Sequence, residues 1–441
     1  MWHEAIEKFR LQVRMRPLLR DTVTTTFWIT IGKGAGFLIP FFIAAWFGVG
    51  PGTDAFFFAY GLILFLSTIF SAAVETIIVP FIAESRVRQE DVGAFVGSIL
   101  VVSGLFLGLI TASFLLIIKY TLGIVTRFST DDIHLVFQIL LETSPLTILL
   151  VWTSILSGAM NAYKIFSVPA FSPAFRAVIT LGIIFYLKGT MGVHAIAWGY
   201  VVGEAARLIM LFVIIRETQL FRFRFALSYK PEFIVFLKTA ASLLAGMTLL
   251  SCAPIINKAM ASWLGTGNVS LLEYADRLYM IPTTLLNSGL IVALLSHWSE
   301  RYQKEGEERL RHDLMRAVKI VIILCLFLTA VLYGTRNFLV QIVYGHGQFP
   351  QERLSEVSDI FVCLIVGLTP FFICQLYVRA FLAKKNTRVF LLAAVYTIIA
   401  TVLFNLILLR IMGITGIALA GSLATFVPLG TLSYLFHRRA P

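Results

Sequence analysis

Residues 99–119 read ILVVSGLFLGLITASFLLIIK, twenty positions without a charge before Lys119 ends the run. About 20 apolar residues in a helix cross a bilayer core, and this stretch has that length. It lacks the apolar/polar alternation of a membrane-spanning strand, so it is read as a transmembrane α-helix. The rest of the chain repeats the pattern. Cutting at clusters of charge, Gly and Pro gives twelve spans: 22–48, 55–82, 92–118, 133–158, 166–187, 193–215, 233–263, 270–298, 317–335, 357–382, 389–409 and 414–436. Composition agrees, with 58% hydrophobic and 14% charged residues over 441 positions, against about 25% charged in soluble domains. No stretch between spans is long enough to fold separately in water, which excludes a soluble catalytic domain. The expected class is an all-α polytopic membrane protein.

Loop charge sets the orientation. The loops on the N-terminal side hold 22 Lys and Arg, and the opposite loops hold six, so both termini are expected in the cytoplasm. Residues 1–20 place Trp2, Ile6, Phe9 and Val13 at helical spacing among Lys8, Arg10, Arg14 and Arg16. That suits an amphipathic helix lying on an anionic inner leaflet. The following run is a full-length span rather than the short h-region of a signal peptide. The net charge of +12 is mostly this asymmetry, so nucleic acid is not an expected partner. Residues 299–316 alternate in sign and read as a solvated loop with a short surface helix. Cys252, Cys325, Cys363 and Cys374 all lie in apolar runs, without the paired spacing of a disulfide framework or zinc site.

Met191-Gly-Val-His-Ala-Ile-Ala197 returns as Met412-Gly-Ile-Thr-Gly-Ile-Ala418, and each copy opens the last span of a group of six. Gly52-Thr-Asp-Ala-Phe and Gly267-Asn-Val-Ser-Leu echo each other more weakly, each opening the second span of its group. Two pseudo-symmetric six-helix lobes are implied. Six is even, so both halves enter from the same face and the repeat is parallel, an architecture in which transporters bind substrate between halves. The expected organisation is a cytoplasmic interfacial segment over 1–20, an N-terminal lobe over 21–216, a linker over 217–232 and a C-terminal lobe over 233–441.

Eight cations fall within or at the ends of spans. Arg207, Lys238, Lys319 and Arg379 lie within about two turns of a cytoplasmic end, from which long side chains snorkel to the interface. Lys33, Arg176, Lys258 and Arg277 lie deeper, where insertion costs roughly 2.5–3.5 kcal/mol each. Groups so placed should face a wet cavity or a partner. The available carboxylates are Glu75, Glu142, Glu204, Glu273 and Asp276, with Asp54 at the outer mouth of the second span. Asp276 and Arg277 are neighbours in sequence and point about 100° apart on a helix, which leaves Arg277 free for a ligand. A cavity richer in cations than carboxylates attracts an anion, and arginine grips phosphate oxygens in pairs. Interhelical salt bridges, such as Arg176 with Glu142 or Glu204, are the plainer use of the same residues.

Gly32-Lys-Gly-Ala-Gly36 lacks the other glycine and the Ser/Thr of a phosphate-binding Walker loop. Closely spaced glycines in a membrane helix instead permit close approach. Prolines at 40, 80, 145, 254, 282 and 370 lie within spans and suit helices that bend. No histidine pair has ligand spacing, no Ser-His-Asp arrangement can be proposed, and no long outer loop could hold one. The chain is not expected to be an enzyme, and no cofactor is expected.

Gly50-Pro-Gly-Thr-Asp-Ala-Phe-Phe57, Pro169-Ala-Phe-Ser-Pro-Ala-Phe175, Glu273-Tyr-Ala-Asp-Arg-Leu278 before Pro282, and Tyr344-Gly-His-Gly-Gln-Phe349 together resemble the MurJ family of lipid II flippases. That family belongs to the multidrug/oligosaccharidyl-lipid/polysaccharide (MOP) exporter superfamily. The resemblance runs in order from about residue 20 to 436. It implies a MOP/MATE-like fold, two lobes about a central cationic cavity, and alternating access. It also implies export of a polyprenyl-pyrophosphate-linked saccharide, lipid II or a related cell-wall or exopolysaccharide precursor, across a bacterial inner membrane.

By the same resemblance Arg277 matches a functionally important family arginine, Asp54 the acidic residue of its Thr-Asp-Ala-Phe motif, and Lys33 the place of a first-helix arginine. A second first-helix arginine is replaced near Ile39, and a second-helix arginine near Ser67 is absent; Arg176 and Lys258 are expected to compensate. Substrate binding is thus assigned to Lys33, Asp54, Arg176, Lys258 and Arg277. Family members typically have fourteen spans, and twelve are read here. The expected partners are the saccharide lipid and membrane lipids, with a monomeric protein. The drive is expected from the membrane potential or a coupling Na+ or H+, with Thr401 and Asn405, one turn apart, as candidate sodium ligands. A drug or cation antiporter of the same superfamily would want an acidic, aromatic cavity. A membrane glycosyltransferase or polymerase would want a carboxylate-bearing outer loop, and the longest outer loop offers only Glu352 and Glu356.

Overall fold

A computed structural model describes residues 31–32, 34–88, 91–223, 252–287, 292–384 and 388–438. The interfacial segment expected over 1–20, Lys33, Lys238 and most of the 217–232 linker lie outside the described residues. The described chain is helical, without strands. In order it forms α1 (Gly34–Phe47), α2 (Pro51–Val87), α3 (Val92–Val125), α4 (Thr130–Thr143), α5 (Leu146–Ala162), α6 (Ser167–Met191) and α7 (His194–Glu217). Then follow α8 (Ala253–Ala261), α9 (Asn268–Leu286), α10 (Val292–Tyr344), α11 (Leu354–Ile365), α12 (Leu368–Ala383), α13 (Arg388–Met412), α14 (Ile414–Ala424) and α15 (Phe426–Arg438).

Among the described residues nine helical segments are long and apolar enough to cross a bilayer. They coincide with nine of the expected spans; the other three, 22–48, 233–263 and 270–298, each include residues outside the described set. Leu109, Ile124 and Ile323 are at least 70% exposed, an arrangement suited to lipid rather than water. Three spans are each built from two helices. Pro145 lacks an N–H and cannot continue α4, so the chain restarts as α5 at Leu146. Gly367 separates α11 from α12, and Thr425 separates α14 from α15.

The loop expected over 299–316 is corrected: these residues are helical within α10, which breaks only at Gly306 (φ 79°). Arg309 lies 3.3 Å from Glu305 and 4.0 Å from Asp313. Opposite charges four residues apart support a helix, so sign alternation here marks an exposed helix rather than a loop.

The recurring Met-Gly motif folds alike in both places. The 25-residue α6 and the 25-residue α13 end at Met191 and Met412, and the following glycines have φ 55°, ψ −133° and φ 61°, ψ −131°. That backbone conformation is essentially restricted to glycine. Each turn sends the chain back along the helix before it, so α7 packs on α6 and α14 packs on α13.

Packing groups the chain into two compact units. The first comprises the chain to Ile39 with Leu66–Leu116 and Leu141–Ser242; the second comprises Pro40–Phe65, Ile117–Leu140 and Leu243–Pro441. In the first, α5, α6 and α7 pack together. In the second, a core including Trp298, Leu314, Phe372, Tyr377, Phe381 and Phe436 joins α10, α12 and α15.

Candidate functional site

In the second unit α9 carries Glu273 and Arg277 one turn apart, so both side chains lie on one helical face. Glu273 is 3% exposed in its side chain and pairs with the Arg277 guanidinium. Its other oxygen lies 2.6 Å from Lys258 Nζ, which reaches across from α8. The same ammonium donates to the carbonyl of Phe57 on α2 at 3.1 Å. Gly61, one turn further along α2, gives it room: a Cβ there would sit 2.9 Å from Nζ.

The expectation that Arg277 is left free for a ligand is therefore corrected. The cost of placing charge in a membrane is met by sharing one carboxylate between two cations. Asp276 does not pair with Arg277, and among the described residues it has no ion-pair or hydrogen-bond partner. Among the described residues the formal charges of Lys258 and Arg277 are matched by Glu273 and Asp276, so this group of four is balanced rather than cationic. Lys258 and Arg277 retain 13% and 21% side-chain exposure against 3% for Glu273. Both cations are thus more open to an incoming group than the carboxylate that holds them.

Asp54 is also reassigned. It is 1% exposed and caps α9: its carboxylate accepts from the backbone N–H of Gly267 at 2.5 Å and of Ser270 at 2.7 Å, and from the Ser270 hydroxyl. A carboxylate at a helix start satisfies otherwise unpaired N–H groups and complements the helix dipole. Thr53 Oγ1 lies 2.9 Å from Ser270 Oγ. The two stretches that echo each other in sequence, at Gly52 and Gly267, therefore meet directly. Buried and hydrogen-bonded through both carboxylate oxygens, Asp54 positions α9 in this structure.

Three of the four motifs carrying the family resemblance converge here. Tyr274 Oη donates to the carbonyl of Gly48, and Tyr344 Oη donates to the carbonyl of Tyr274, each at 2.8 Å. Phe349 packs against both tyrosine rings, with centroids 5.7 and 5.5 Å away, and the amide of Gln348 donates to the carbonyl of Ala45 at 2.8 Å. Tyr274 and Arg277 lie three residues apart on α9, so one short motif both anchors the helix and presents the charge cluster.

In the first unit Glu204 on α7 is fully buried. It accepts from Thr153 Oγ1 at 2.7 Å and pairs with Arg176 of α6 at 3.3 Å and Arg207 at 3.1 Å. Arg207 Nε also donates to Ser172 Oγ at 2.9 Å. The snorkelling expected of Arg207 is corrected: three residues from Glu204, it turns inward to the carboxylate. Arg176 takes the salt-bridge reading with Glu204, while Glu142 contacts His194 at 2.9 Å. Two arginines from α6 and α7 thus share this one buried carboxylate. The Glu204–Arg207 spacing could have shown this pairing in advance, whereas the pairing of Lys258 with Glu273 depends on tertiary packing.

Thr401 and Asn405 lie on α13. Thr401 Oγ1 donates to the carbonyl of Thr397 at 2.8 Å, and Asn405 Nδ2 donates to Asn257 Oδ1 of α8 at 2.7 Å. Asn405 Oδ1 is buried without a partner. Asn257 was not singled out by the sequence, since a lone amide carries no periodic or spacing signal.

Comparison with known proteins gives one consistent family. The sequence profile described as Lipid II flippase MurJ matches residues 43–441. A probable lipid II flippase MurJ of Buchnera aphidicola subsp. Acyrthosiphon pisum (strain APS) is 23% identical over 440 residues, covering 96% of this chain and 84% of that protein. Among solved structures, a lipid II flippase MurJ in an inward closed conformation aligns with a TM-score of 0.77 at 22% identity, over 95% of this chain and 87% of that one. An inward-facing MATE family multidrug resistance transporter of the MOP superfamily aligns with a TM-score of 0.79 at 14% identity, over 93% and 94% of the two chains. At these identities the structural likenesses establish the fold alone.

Proposed function

We propose, because this chain belongs to the lipid II flippase MurJ family, that it moves a polyprenyl-pyrophosphate-linked saccharide, lipid II or a close relative, from the inner to the outer leaflet by alternating access. The observation that carries this reading is the family match itself, which runs from residue 43 to residue 441 and includes the charged cluster on α9. Nine apolar spans among the described residues and relatives from bacteria fit a multi-pass protein of the bacterial inner membrane. The loop-charge asymmetry supports cytoplasmic termini. The same family membership favours a transporter over the glycosyltransferase and polymerase alternatives.

In this mechanism Arg277 and Lys258 receive the pyrophosphate. A guanidinium has five N–H donors in a planar fork, so Arg277 can engage phosphate while still held by Glu273. Glu273 fixes both cations and reduces the cost of keeping them in the membrane. Arg176 and Arg207, held together on Glu204, are a second pair of guanidinium groups that can engage anionic oxygens. Outward movement of one negative charge through an inside-negative field of 100 mV releases about 2.3 kcal/mol. We assign the drive to the potential, with sodium coupling through the neutral oxygens of Thr401 and Asn405 as the second reading.

The test is translocation of a labelled polyprenyl-pyrophosphate saccharide in proteoliposomes, read as access of the head group from the opposite side. Transport by the parent protein and none in protein-free vesicles is expected. Absence of transport with folded, correctly inserted protein, or copurification of an unrelated cationic solute in its place, would overturn the reading.

A further inference from the structure

Two adjoining cavities in the first unit share Phe212 of α7. One, of about 450 Å3, is lined by Leu100, Gly104, Leu105, Ile148, Trp152 and Phe212. Trp152 shapes this apolar slot: its Nε1 donates to the carbonyl of Leu100 at 3.1 Å, which holds the indole flat against Gly104. The other cavity, of about 670 Å3, is lined by Phe212, Arg216, Gln219, Phe221, Arg222 and Phe223.

The end of α7 builds the second cavity. Beyond Glu217 the chain reverses at Gln219, which takes φ 48° and donates its N–H to the carbonyl of Arg216 at 3.1 Å. The reversal brings Phe223 back to Phe212 and sets Phe221 edge-on to Phe223, with ring centroids 4.9 and 5.0 Å apart respectively. Among the described residues neither Arg216 nor Arg222 has an ion-pair partner. Two guanidinium groups, unpaired among the described residues, therefore stand at the end of a membrane span, and an apolar slot leads away from them along α3 and α5. Head-to-tail, this is the polarity of an amphiphile with a negative head.

We infer that this is a binding site for an anionic phospholipid, its phosphate held by Arg216 and Arg222 and one acyl chain lying along Leu100, Gly104 and Trp152. The lipid is separate from the transported substrate, and the inference stands or falls independently of transport. Arginine near an anionic headgroup contributes electrostatic attraction that salt weakens, while the slot supplies chain burial.

Native mass spectrometry of the detergent-purified full chain, titrated with phosphatidylglycerol or phosphatidylcholine, tests it. The parent protein should retain phosphatidylglycerol preferentially, and Arg216→Gln/Arg222→Gln should weaken that retention by about 10- to 30-fold. Leu105→Trp, which fills the slot from its lipid-facing side, should lower retention of both lipids. Arg216→Lys/Arg222→Lys, which keeps the charge, should preserve the preference. The site is overturned if the glutamine variant binds phosphatidylglycerol like the parent. It is overturned equally if inorganic phosphate displaces the lipid at equal concentration, since the slot would then contribute nothing.

Discussion

At the scale of single residues, the intramembrane charges are legible in the sequence but their partners are only partly so. The four-residue spacing of Glu273 and Arg277, and the three-residue spacing of Glu204 and Arg207, place each pair on one face of a helix. The second cation at each carboxylate comes from another helix, Lys258 from α8 and Arg176 from α6, and no local spacing encodes that. Glu273→Gln removes the carboxylate that both cations share. Breaking a buried ion pair this way costs about 3–5 kcal/mol, so the variant should unfold at distinctly lower temperature in detergent, with Glu273→Asp losing less. An unchanged melting temperature would show the cluster to be well hydrated. Asp54→Ala strips the cap from α9 and should cost about 1–2 kcal/mol, read as a lower denaturation midpoint. A loss of transport without any loss of stability would instead return Asp54 to the substrate site.

At the scale of elements, the apolar runs mark the spans because twenty apolar residues have few other stable homes. Their internal breaks were less visible. Pro145 announces one through its missing N–H, but the break before α12 falls at Gly367 and that before α15 at Thr425, where composition gives no sharp warning. Charge alternation over 299–316 misleads, because a solvated helix and a loop share the same polarity. The Met-Gly repeat is informative in the other direction, since both copies adopt one backbone geometry. Gly192→Ala and Gly413→Ala should each destabilise by about 1–2 kcal/mol, the cost of a side chain at positive φ. Both turns are otherwise open, with no atom near an added Cβ. Matched losses in the two variants would confirm equivalent turns. A large difference between them would mean that packing, not backbone geometry, fixes one of the two.

At the scale of the whole molecule, the fold class and family were readable in advance, because spans, repeat and motifs recur in one order along the chain. The charge balance was not. Counting cations against carboxylates by position suggests a cationic cavity, whereas around Arg277 the two signs cancel in formal charge. Arg277→Glu should abolish transport while leaving inserted protein, with Arg277→Lys retaining a fraction of it. Wild-type turnover in the glutamate variant would remove Arg277 from the mechanism. Collapsing an inside-negative potential with an ionophore should slow translocation in proteoliposomes, since about 2.3 kcal/mol per charge per 100 mV is withdrawn; an unaltered rate would point to ion coupling instead. The Glu273 carboxylate also acts as a resident rival to any arriving phosphate. A head group that grips Arg277 and Lys258 must share them with it, and so is held less tightly than by bare cations. A carrier profits from that moderation, because a cargo bound too firmly would stay aboard at the far side.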